Sequence, residues 1–331
     1  MNKASGSHYV MSDELVNSGE VEHCWLVGPF PEHQPFCDYL FYFAYHFANN
    51  VHVVVKSITE KQKVSQRYPF AHIHLGARVS FSAVVVSETG RVKANQFFIV
   101  FKDADWVMAK SVGMTPLPIE KMLVNAELLQ TVAFQPSSIS ANSLTQKPVK
   151  PRQYLPVSHN KVAIMGPESA GKSTLALALA QQLKLPLVNE YARLWLSYQD
   201  DVGGYEDIAL IAKVQQAFEQ TVSAQSEIAL FDTGPMTTQV WSQMLFGKVP
   251  EWLVKQVQQD CYALVLLVAP DIPWHFDPQR CQPALETRER FFQLCETLLG
   301  QLAISYQVIS GADRFEQAKQ ALITKFSCIS C

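Results

Sequence analysis

Residues 166–173, which read Gly-Pro-Glu-Ser-Ala-Gly-Lys-Ser, have the types and spacing that can hold the phosphates of a nucleotide. The two glycines let the backbone curl so that successive N–H groups point inward, and a following helix would add partial positive charge. Lys172 can then reach the β- and γ-phosphates, and the Ser173 hydroxyl is placed to bind Mg²⁺. The alternative is a chance match in a glycine-containing turn.

The neighbours of this stretch decide between the two interpretations. Residues 161–165 before it are mostly apolar and typical of a short buried strand, and residues 174–183 after it favour a helix. A phosphate-binding loop requires this order of strand, loop and helix, so the sequence predicts that the protein binds a nucleoside triphosphate. The residues expected to contact it are Gly166, Pro167, Glu168, Ser169, Ala170, Gly171, Lys172, Ser173 and Thr174.

Two carboxylates stand at the ends of predicted strands. The apolar run 227–232 ends at Asp232, which could hold Mg²⁺ directly or through water. Capping of the following helix is the alternative for this residue. The shorter run 186–190 ends at Glu190, which could accept the proton of a substrate hydroxyl or bind a sugar hydroxyl. A surface salt bridge between Glu190 and Arg193 is the alternative there.

A polar stretch after the apolar run 263–269 contains Arg280, Arg288 and Arg290. In small-molecule kinases this region is a mobile lid whose arginines neutralise charge on the transferred phosphoryl group. Three arginines on a surface helix are also unremarkable in themselves. We expect at least one to be catalytic, with Arg280 and Arg288 ahead of Arg290. Trp274 enters the same stretch and either stacks on a base-like ring or packs under the lid.

The elements that must position these residues alternate along the second half of the chain. Near-continuous apolar strands separated by helices predict an α/β fold, with a parallel sheet covered by helices on both faces as in P-loop kinases. In such sheets ligands lie outside the carboxyl ends of the strands. Glu190, Asp232 and the phosphate-binding loop would therefore meet in one crevice.

The length of 331 residues suggests about two domains. Residues 1–20 are polar and are expected to be a flexible N-terminus, and a strand–helix–strand pattern predicts an N-terminal α/β domain over residues 21–134. Within that domain the stretch from Pro118 to Ala133 is predicted to be helical. Residues 135–157 are rich in proline and polar residues and are predicted to be a linker, followed by the P-loop kinase domain over 158–331.

Composition excludes several classes of protein. The net charge is −3 and neither half has a basic excess, so we expect no nucleic-acid partner, and no apolar run is long enough to span a membrane. Seven scattered cysteines and the absence of a signal-peptide pattern indicate the cytoplasm. Cys328 and Cys331 are interpreted as part of a tail rather than a zinc or redox site. His72 and His74 are interpreted as half-exposed strand positions rather than a metal pair. The oligomeric state is open, with a homo-oligomer as one option.

Several runs together resemble one family, the nicotinamide riboside kinase domain of bacterial NadR-type NAD-salvage proteins. They are the loop 166–173, Glu-Tyr-Ala-Arg at 190–193, Phe-Asp-Thr at 231–233, and Asp-Ile-Pro-Trp at 271–274 followed by Arg280. The resemblance covers roughly residues 158–326. It implies ATP-dependent phosphorylation of the 5′-hydroxyl of nicotinamide riboside, giving NMN and ADP.

The resemblance also implies roles for individual residues. Gly171, Lys172, Ser173 and Thr174 would handle ATP and Mg²⁺. The combined expectation from residues and resemblance has Lys172, Asp232, Glu190, Arg280 and Arg288 as catalytic residues. Glu190, Tyr191, Arg193 and Trp274 would bind the riboside or a similar nucleoside, and Ser173 and Asp232 would hold the metal. One departure concerns the lid, because Asp277 is followed by Pro278 where the family usually has glycine.

The N-terminal half fits the resemblance less well. NadR-type proteins have an adenylyltransferase domain there, with two histidines separated by a glycine after the first strand. In this chain, residues 28–37 keep the Gly-x-Phe start but supply only His33. Without both imidazoles the α-phosphate loses donors that stabilise its transition state. We therefore expect no adenylyltransferase activity, whether the domain is a degenerate relative or an unrelated α/β domain. The helix-turn-helix of some family members has no counterpart in residues 1–20.

Two other functions stay open at this point. The first is a kinase for another nucleoside or small metabolite, because the phosphate-binding loop does not select the acceptor. The second is a non-catalytic regulatory switch in which ATP binding orders the lid. Only the blocks at 190–193 and 271–274 favour the riboside.

Overall fold

The computed structural model describes residues 13–30, 34–76, 96–100, 103–119, 122–129, 160–199 and 203–326. The chain divides into two compact units. The small unit contains Glu20–Ile119 and Gln130–Pro156, and the large unit contains Met1–Gly19, Glu120–Leu129 and Val157–Cys331. The predicted linker 135–157, His33 and the Cys328–Cys331 pair lie outside the described residues.

The helices and strands are numbered here in chain order. The first half of the chain contains α1 (Asp13–Ser18), β1 (His23–Val27), α2 (Gln34–Phe47), β2 (Asn50–Val55), α3 (Ile58–Arg67), β3 (Ala71–Leu75), β4 (Gln96–Val100), α4 (Asp103–Ser111), β5 (Thr115–Pro118) and β6 (Leu123–Val124). The second half contains β7 (Lys161–Met165), α5 (Lys172–Leu183), β8 (Leu187–Val188), α6 (Tyr191–Ser197), α7 (Tyr205–Ser223), β9 (Ala229–Asp232), α8 (Pro235–Phe246), α9 (Glu251–Gln259), β10 (Leu264–Val268), α10 (Leu285–Gln301), β11 (Tyr306–Ile309) and α11 (Arg314–Lys325).

The small unit is built on a five-stranded parallel sheet in the order β3-β2-β1-β4-β5. Side chains alternate between the two faces along each strand, so both faces of the sheet pack against helices. On one face Trp25, Phe98 and Ala109 of α4 share a core. On the other face Phe47 of α2 meets Phe97 edge to face. The predicted N-terminal α/β fold is confirmed.

A chain of imidazoles crosses three strands of this small-unit sheet. The Nδ1 atom of His23 lies 2.9 Å from His52 Nε2, and His52 Nδ1 lies 3.1 Å from His74 Nε2. The Trp25 and His52 rings stack with centroids 4.2 Å apart, and the His52 and His72 rings stack with centroids 5.2 Å apart. Burial, reinforced by the three neighbouring histidines, lowers the pKa of His52 to about 2. The described residues contain no cluster of three or more metal-type side chains in ligating positions.

The large unit is built on a six-stranded sheet in the order β11-β10-β7-β9-β8-β6. All pairs are parallel except β6 with β8, which is antiparallel. One face packs α5 and α11, with Leu179 and Leu322 in a common core. The other face packs α8, α9 and α10, with Val240 and Phe291 in its core. The predicted fold class, a parallel sheet covered on both faces, is confirmed. No helix within the described ranges is long and apolar enough to cross a membrane.

Strand β6 completes the large sheet with residues from the first half of the chain. The predicted helix over 118–133 is wrong for the described residues 122–129, which form β6 and a short 3₁₀ turn. Met122 C=O accepts a hydrogen bond from the Asn189 N–H at 2.8 Å. The Asn125 side chain donates to the carbonyls of Ala180 and Leu185, both at 2.9 Å. Pairing with β8 and these caps outweigh the local helix preference of the segment.

Helix α1 also belongs to the large unit. Leu15 is fully buried, and the Trp252 indole N–H donates to the Val16 carbonyl at 3.1 Å. Gly19 lies so close to the Trp252 ring that a Cβ there would be 2.5 Å from it. The expected flexibility of residues 1–20 therefore does not describe residues 13–18, since one apolar residue and one carbonyl fix them to the large unit.

A buried charged cluster lies at the start of β7. Lys161 Nζ is 2.7 Å from Glu219 Oε2 and 2.6 Å from Asp260 Oδ1. The Tyr262 hydroxyl donates to Glu219 at 2.7 Å, and the ammonium lies 4.3 Å above the Tyr262 ring. Burial raises the pKa of Glu219 to about 7, against the opposing charge of Lys161. Lys161 therefore compensates two carboxylates inside the large unit.

Candidate active site

The loop between β7 and α5 has the tight backbone that its glycines predict. Gly166 has a φ of 143°, and a Cβ there would lie 2.4 Å from the Val268 carbonyl oxygen. Gly171 has a φ of 85° and immediately precedes helix α5. Both conformations favour glycine, and the first also allows the loop to lie directly against β10. Successive backbone groups of residues 166–173 therefore curl around the N-terminus of α5, where an anion is stabilised.

Lys172 and Ser173 occupy the first turn of α5. The Lys172 ammonium donates to the carbonyl of Pro167, at the start of the loop, at 2.8 Å. The Ser173 hydroxyl is close enough to Asp232, which ends the neighbouring strand β9, to lower the pKa of that carboxyl. Strands β7 and β9 are paired with Ile164 opposite Asp232, so the end of β9 lies beside the start of the loop. Two of the predicted site residues, Ser173 and Asp232, are thus in contact.

Asp232 has the environment of a cation ligand. Its side chain is 2% exposed, and its Oδ1 has no hydrogen-bond partner among the described residues. Burial and the nearby charge of Glu190 raise its pKa to about 6, against Lys172 and the Ser173 hydrogen bond. The capping alternative is wrong, because Gly234 is the N-cap of α8. A buried carboxylate oxygen beside a serine hydroxyl fits Mg²⁺, which prefers oxygen ligands.

Glu190 lines the cavity and also forms the salt bridge considered as its alternative. It stands at the N-cap of α6 and faces the cavity described below. Its Oε2 is also 3.4 Å from the Arg193 Nε, and Arg193 Nη1 is 3.0 Å from Asp277 Oδ2. The salt bridge therefore does not remove Glu190 from the site. It orients the carboxylate and connects it to the segment that contains Arg280.

Tyr191 does not line the cavity. Its ring is fully buried and lies 6.4 Å from Trp195 and 6.5 Å from Phe218. Its backbone N–H donates to Gln215 Oε1 at 3.0 Å, and Gln215 Nε2 donates to the Thr233 carbonyl at 3.2 Å. Gln215 thus ties the start of α6 to the residue after Asp232. Gln215 was not predicted from the sequence, because it is a single polar residue inside a long amphipathic helix.

Residues 269–284 between β10 and α10 form a segment that we call the arm. Arg280 lines the cavity, and its Nη1 donates to Ser169 Oγ at 3.3 Å and to the His275 carbonyl at 2.6 Å. The Trp274 indole N–H donates to Glu168 Oε1 at 3.1 Å. Trp274 does not line the cavity, so packing of the arm describes it better than stacking on a ligand.

The other two arginines lie away from the cavity. Arg288 is 4% exposed and donates to the Ile272 carbonyl at 3.1 Å, which fixes the arm to α10. Arg290 is exposed on α10. Arg314, which the sequence analysis missed, donates to the Ala170 carbonyl at 2.5 Å and to the Ala269 carbonyl at 3.2 Å. Of the arginines expected to be catalytic, the structure brings only Arg280 to the cavity.

A cavity of about 500 Å³ joins these parts of the large unit. One side is polar and contains the loop from Glu168 to Thr174 together with Glu190, Arg193 and Arg280. The other side is largely apolar and contains Leu196, Ile208, Ile211, Trp241, Leu245 and Phe246, with the polar residues Asp207 and Thr238 on the same helices. Such a shape accommodates phosphates at one end and a planar organic group at the other. The apolar side was not predicted, because its residues are spread over three helices.

The comparisons with known proteins agree with the motifs. Residues 161–317 match the family AAA_28, an AAA domain. The Trifunctional NAD biosynthesis/regulator protein NadR of Salmonella typhimurium is 26% identical over 205 residues, covering 56% of this chain and 48% of that protein. The protein of the same name from Escherichia coli K12 is 26% identical over 201 residues, with the same coverage. The chain spans about half the length of these curated relatives.

Solved structures give weaker similarity. A NadR protein in complex with NR has a TM-score of 0.44 and 15% identity, covering 92% of this chain and 96% of that one. A shikimate kinase from Acinetobacter baumannii has a TM-score of 0.32 and 11% identity, covering 51% and 93%. The family match and the curated relatives confirm the resemblance to NadR-type proteins predicted from the motifs.

Proposed function

We propose that the large unit is an ATP-dependent kinase that phosphorylates the 5′-hydroxyl of nicotinamide riboside, giving NMN and ADP. The observation that carries the proposal is the cavity, in which a phosphate-binding loop and Glu190 face an apolar wall. The identity to NAD biosynthesis/regulator proteins over this part of the chain supports the choice of riboside.

The loop would bind the phosphates of ATP through its backbone N–H groups and Lys172. Lys172 now donates to Pro167 O at 2.8 Å, so a small rotation of its side chain would bring it to the phosphates. Ser173 and Asp232 would hold Mg²⁺, which when bound neutralises charge on the phosphate oxygens. Arg280 reaches the loop at Ser169 and would stabilise the charge that develops on the transferred group.

Glu190 is the residue that we assign to the acceptor. The acceptor hydroxyl attacks the γ-phosphorus, its proton passes to the Glu190 carboxylate, and the bond from the γ-phosphorus to the bridging oxygen of ADP breaks. The pairing with Arg193 orients the Glu190 carboxylate. Asp232 is less suited to this step, because it is buried and does not line the cavity. The apolar wall would hold the ring of the nucleoside and exclude water.

The test is ADP release by the full chain with Mg-ATP, using nicotinamide riboside, other ribonucleosides and no acceptor. We expect turnover that depends on the riboside and is lost in Lys172→Ala. Lys255→Ala is the matched control, since this exposed lysine pairs only with Glu251 on α9 among the described residues. Equal stimulation by another nucleoside would change the proposed acceptor, but the protein would still be a kinase.

Slow ATP hydrolysis that no acceptor stimulates would contradict the kinase and favour the regulatory switch. In that case ATP should still alter the protease sensitivity of the arm.

For the small unit we propose that it lacks adenylyltransferase activity. Phe30, which follows the Gly-Pro turn after β1, packs against Phe41 with ring centroids 5.2 Å apart. This apolar contact lies where an adenylyltransferase would need hydrogen-bond donors to the phosphate. Formation of NAD from NMN and ATP by the purified chain would overturn this proposal.

A further inference from the structure

We propose that Glu168 is a positioning residue, which docks the arm onto the phosphate-binding loop and thereby sets the place of Arg280. The catalytic part of this inference rests on the proposed kinase function. The contact itself does not, and it can be tested without any substrate.

Glu168 accepts hydrogen bonds from three donors of the arm. Its Oε1 accepts from the Trp274 indole N–H at 3.1 Å and from the Gln282 N–H. Its Oε2 accepts from the Cys281 N–H at 3.1 Å. The residue is only 8% exposed, although it stands in the middle of a loop. These contacts turn the carboxylate toward the arm rather than into solvent.

The chemistry of this contact requires a carboxylate. All three partners are N–H groups that donate only, and two of them come from consecutive backbone positions, 281 and 282. Successive backbone N–H groups form a small concave site for an anion. Hydrogen bonds to an ionised acceptor are roughly twice as strong as neutral ones. A neutral or shorter side chain at position 168 would leave at least one donor without its partner.

The position of Arg280 follows from this contact. Its neighbour Cys281 is held by Glu168, while its own guanidinium donates to Ser169 Oγ at 3.3 Å. Two consecutive residues of the loop therefore fix the backbone and the side chain around Arg280. Because the same loop would hold the phosphates, the distance between Arg280 and the transferred group is set through Glu168.

The first test measures the arm directly. Full-length protein without nucleotide is treated with trypsin, and cleavage after Arg280 is followed by mass spectrometry relative to cleavage after Lys255. We expect Glu168→Ala to accelerate cleavage after Arg280 at least tenfold, with Glu168→Gln intermediate, since Gln retains one acceptor oxygen. Glu289→Ala, an exposed carboxylate on α10, is the control and should match the wild type. An unchanged rate in Glu168→Ala would overturn the inference.

The second test separates positioning from general stabilisation. In the riboside-dependent assay, Glu168→Ala should lower kcat about tenfold or more while the KM for the acceptor stays within threefold. Adding Arg280→Ala should lower kcat little further, because both substitutions remove the same contribution. Multiplicative effects of the two substitutions would show that Glu168 does not act through Arg280 and would overturn the positioning role. If the wild type has no nucleoside-dependent turnover, the proposed function fails while the trypsin test still decides whether Glu168 holds the arm.

Discussion

The central strands of the two sheets are followed by the same dipeptide, but the residues after that dipeptide differ in chemistry. In the small unit β1 leads into Gly28-Pro29, and in the large unit β7 leads into Gly166-Pro167. After the first turn Phe30 packs against an aromatic ring, whereas after the second the loop leads to Lys172 at a helix N-terminus. A parallel sheet supplies a crevice at its strand ends, but the residues that follow the strands decide what can bind there.

The buried polar groups of the two sheets differ in the same way. The large unit buries charges that compensate each other, with Lys161 between Glu219 and Asp260. The small unit buries the neutral imidazole of His52, which lies between the half-buried His23 and His74. The charged cluster should be sensitive to the loss of one partner, and the imidazole chain should be sensitive to acid. Four measurements, two of them on these buried groups, test how the two units differ.

The largest effect is expected for Lys161→Met. Removing the ammonium leaves the buried Glu219 and the partly buried Asp260 without a counter-charge, which should cost about 3–5 kcal/mol of unfolding free energy. Urea unfolding of the full chain, with hydrogen exchange of the β7 and β9 peptides as the local probe, measures the loss. Lys255→Met on the surface should cost less than about 1 kcal/mol. A similar cost for both would mean that the buried cluster contributes no more than a surface pair.

The next largest effect is expected for Asp232→Asn. The variant keeps the shape of the side chain but loses the charge beside Ser173, so riboside-dependent kcat should fall about 100-fold, equivalent to about 2.7 kcal/mol. Glu60→Gln is the matched change in the small unit, because Glu60 lies close to Gly28 at the end of β1. It should leave turnover unchanged. Loss of activity in Glu60→Gln would break the contrast between the two crevices.

The imidazole chain predicts acid sensitivity of the small unit. The pKa of His52 is about 2 in the folded chain, against 6.5 for the ordinary side chain. Its contribution to stability is complete above pH 6.5 and is lost below it at about 1.4 kcal/mol per pH unit, or about 2 kcal/mol at pH 5. Hydrogen exchange of the β1 and β2 peptides, corrected for intrinsic rates, measures this loss. His52→Leu should flatten the dependence and His275→Ala should not, so equal slopes in all three proteins would refute the assignment.

The smallest effect is expected for Asn125→Gly. Glycine accepts the positive φ of 58° at this position, so the change removes mainly the two hydrogen bonds to Ala180 and Leu185. We expect a loss of about 1 kcal/mol in the large unit, seen as faster exchange of the β8 peptide. Asn50→Ala, whose exposed side chain bonds to Glu22 in the small unit, should leave that peptide unaffected. No change in β8 would mean that β6 does not support the site.

The sequence predicted what depends on local pattern. The loop at 166–173 is defined by glycine and lysine spacing, and the sheet class follows from alternating apolar strands and helices. Motif residues were less well predicted one by one. Tyr191 and Arg288 belong to expected site segments, but their side chains point into the protein, because a motif does not specify which face of a helix meets the core.

The unpredicted parts depend on contacts between distant residues. Strand β6 pairs with β8 more than 60 residues later in the chain, and no local preference of Leu123 and Val124 indicates this partner. Gln215 and Arg314 are single polar residues in helices, and only the folded chain brings them to the loop ends. Hydrophobic periodicity concerns residues that are close together in the sequence, so it does not predict such contacts.

The division of the chain has a consequence for its evolution and its engineering. Helix α1 and strand β6 lie on either side of Glu20–Ile119, yet both belong to the large unit. In terms of chain topology, Glu20–Ile119, which contains all five strands of the small unit, is a guest inserted between two segments of its host, and the remainder of the small unit, Gln130–Pro156, follows the second of these segments. A gene fragment that starts at residue 158 would remove both host segments, whereas excision of residues 20–119 would retain them. Losing or exchanging the five-stranded segment is therefore an internal deletion rather than a truncation.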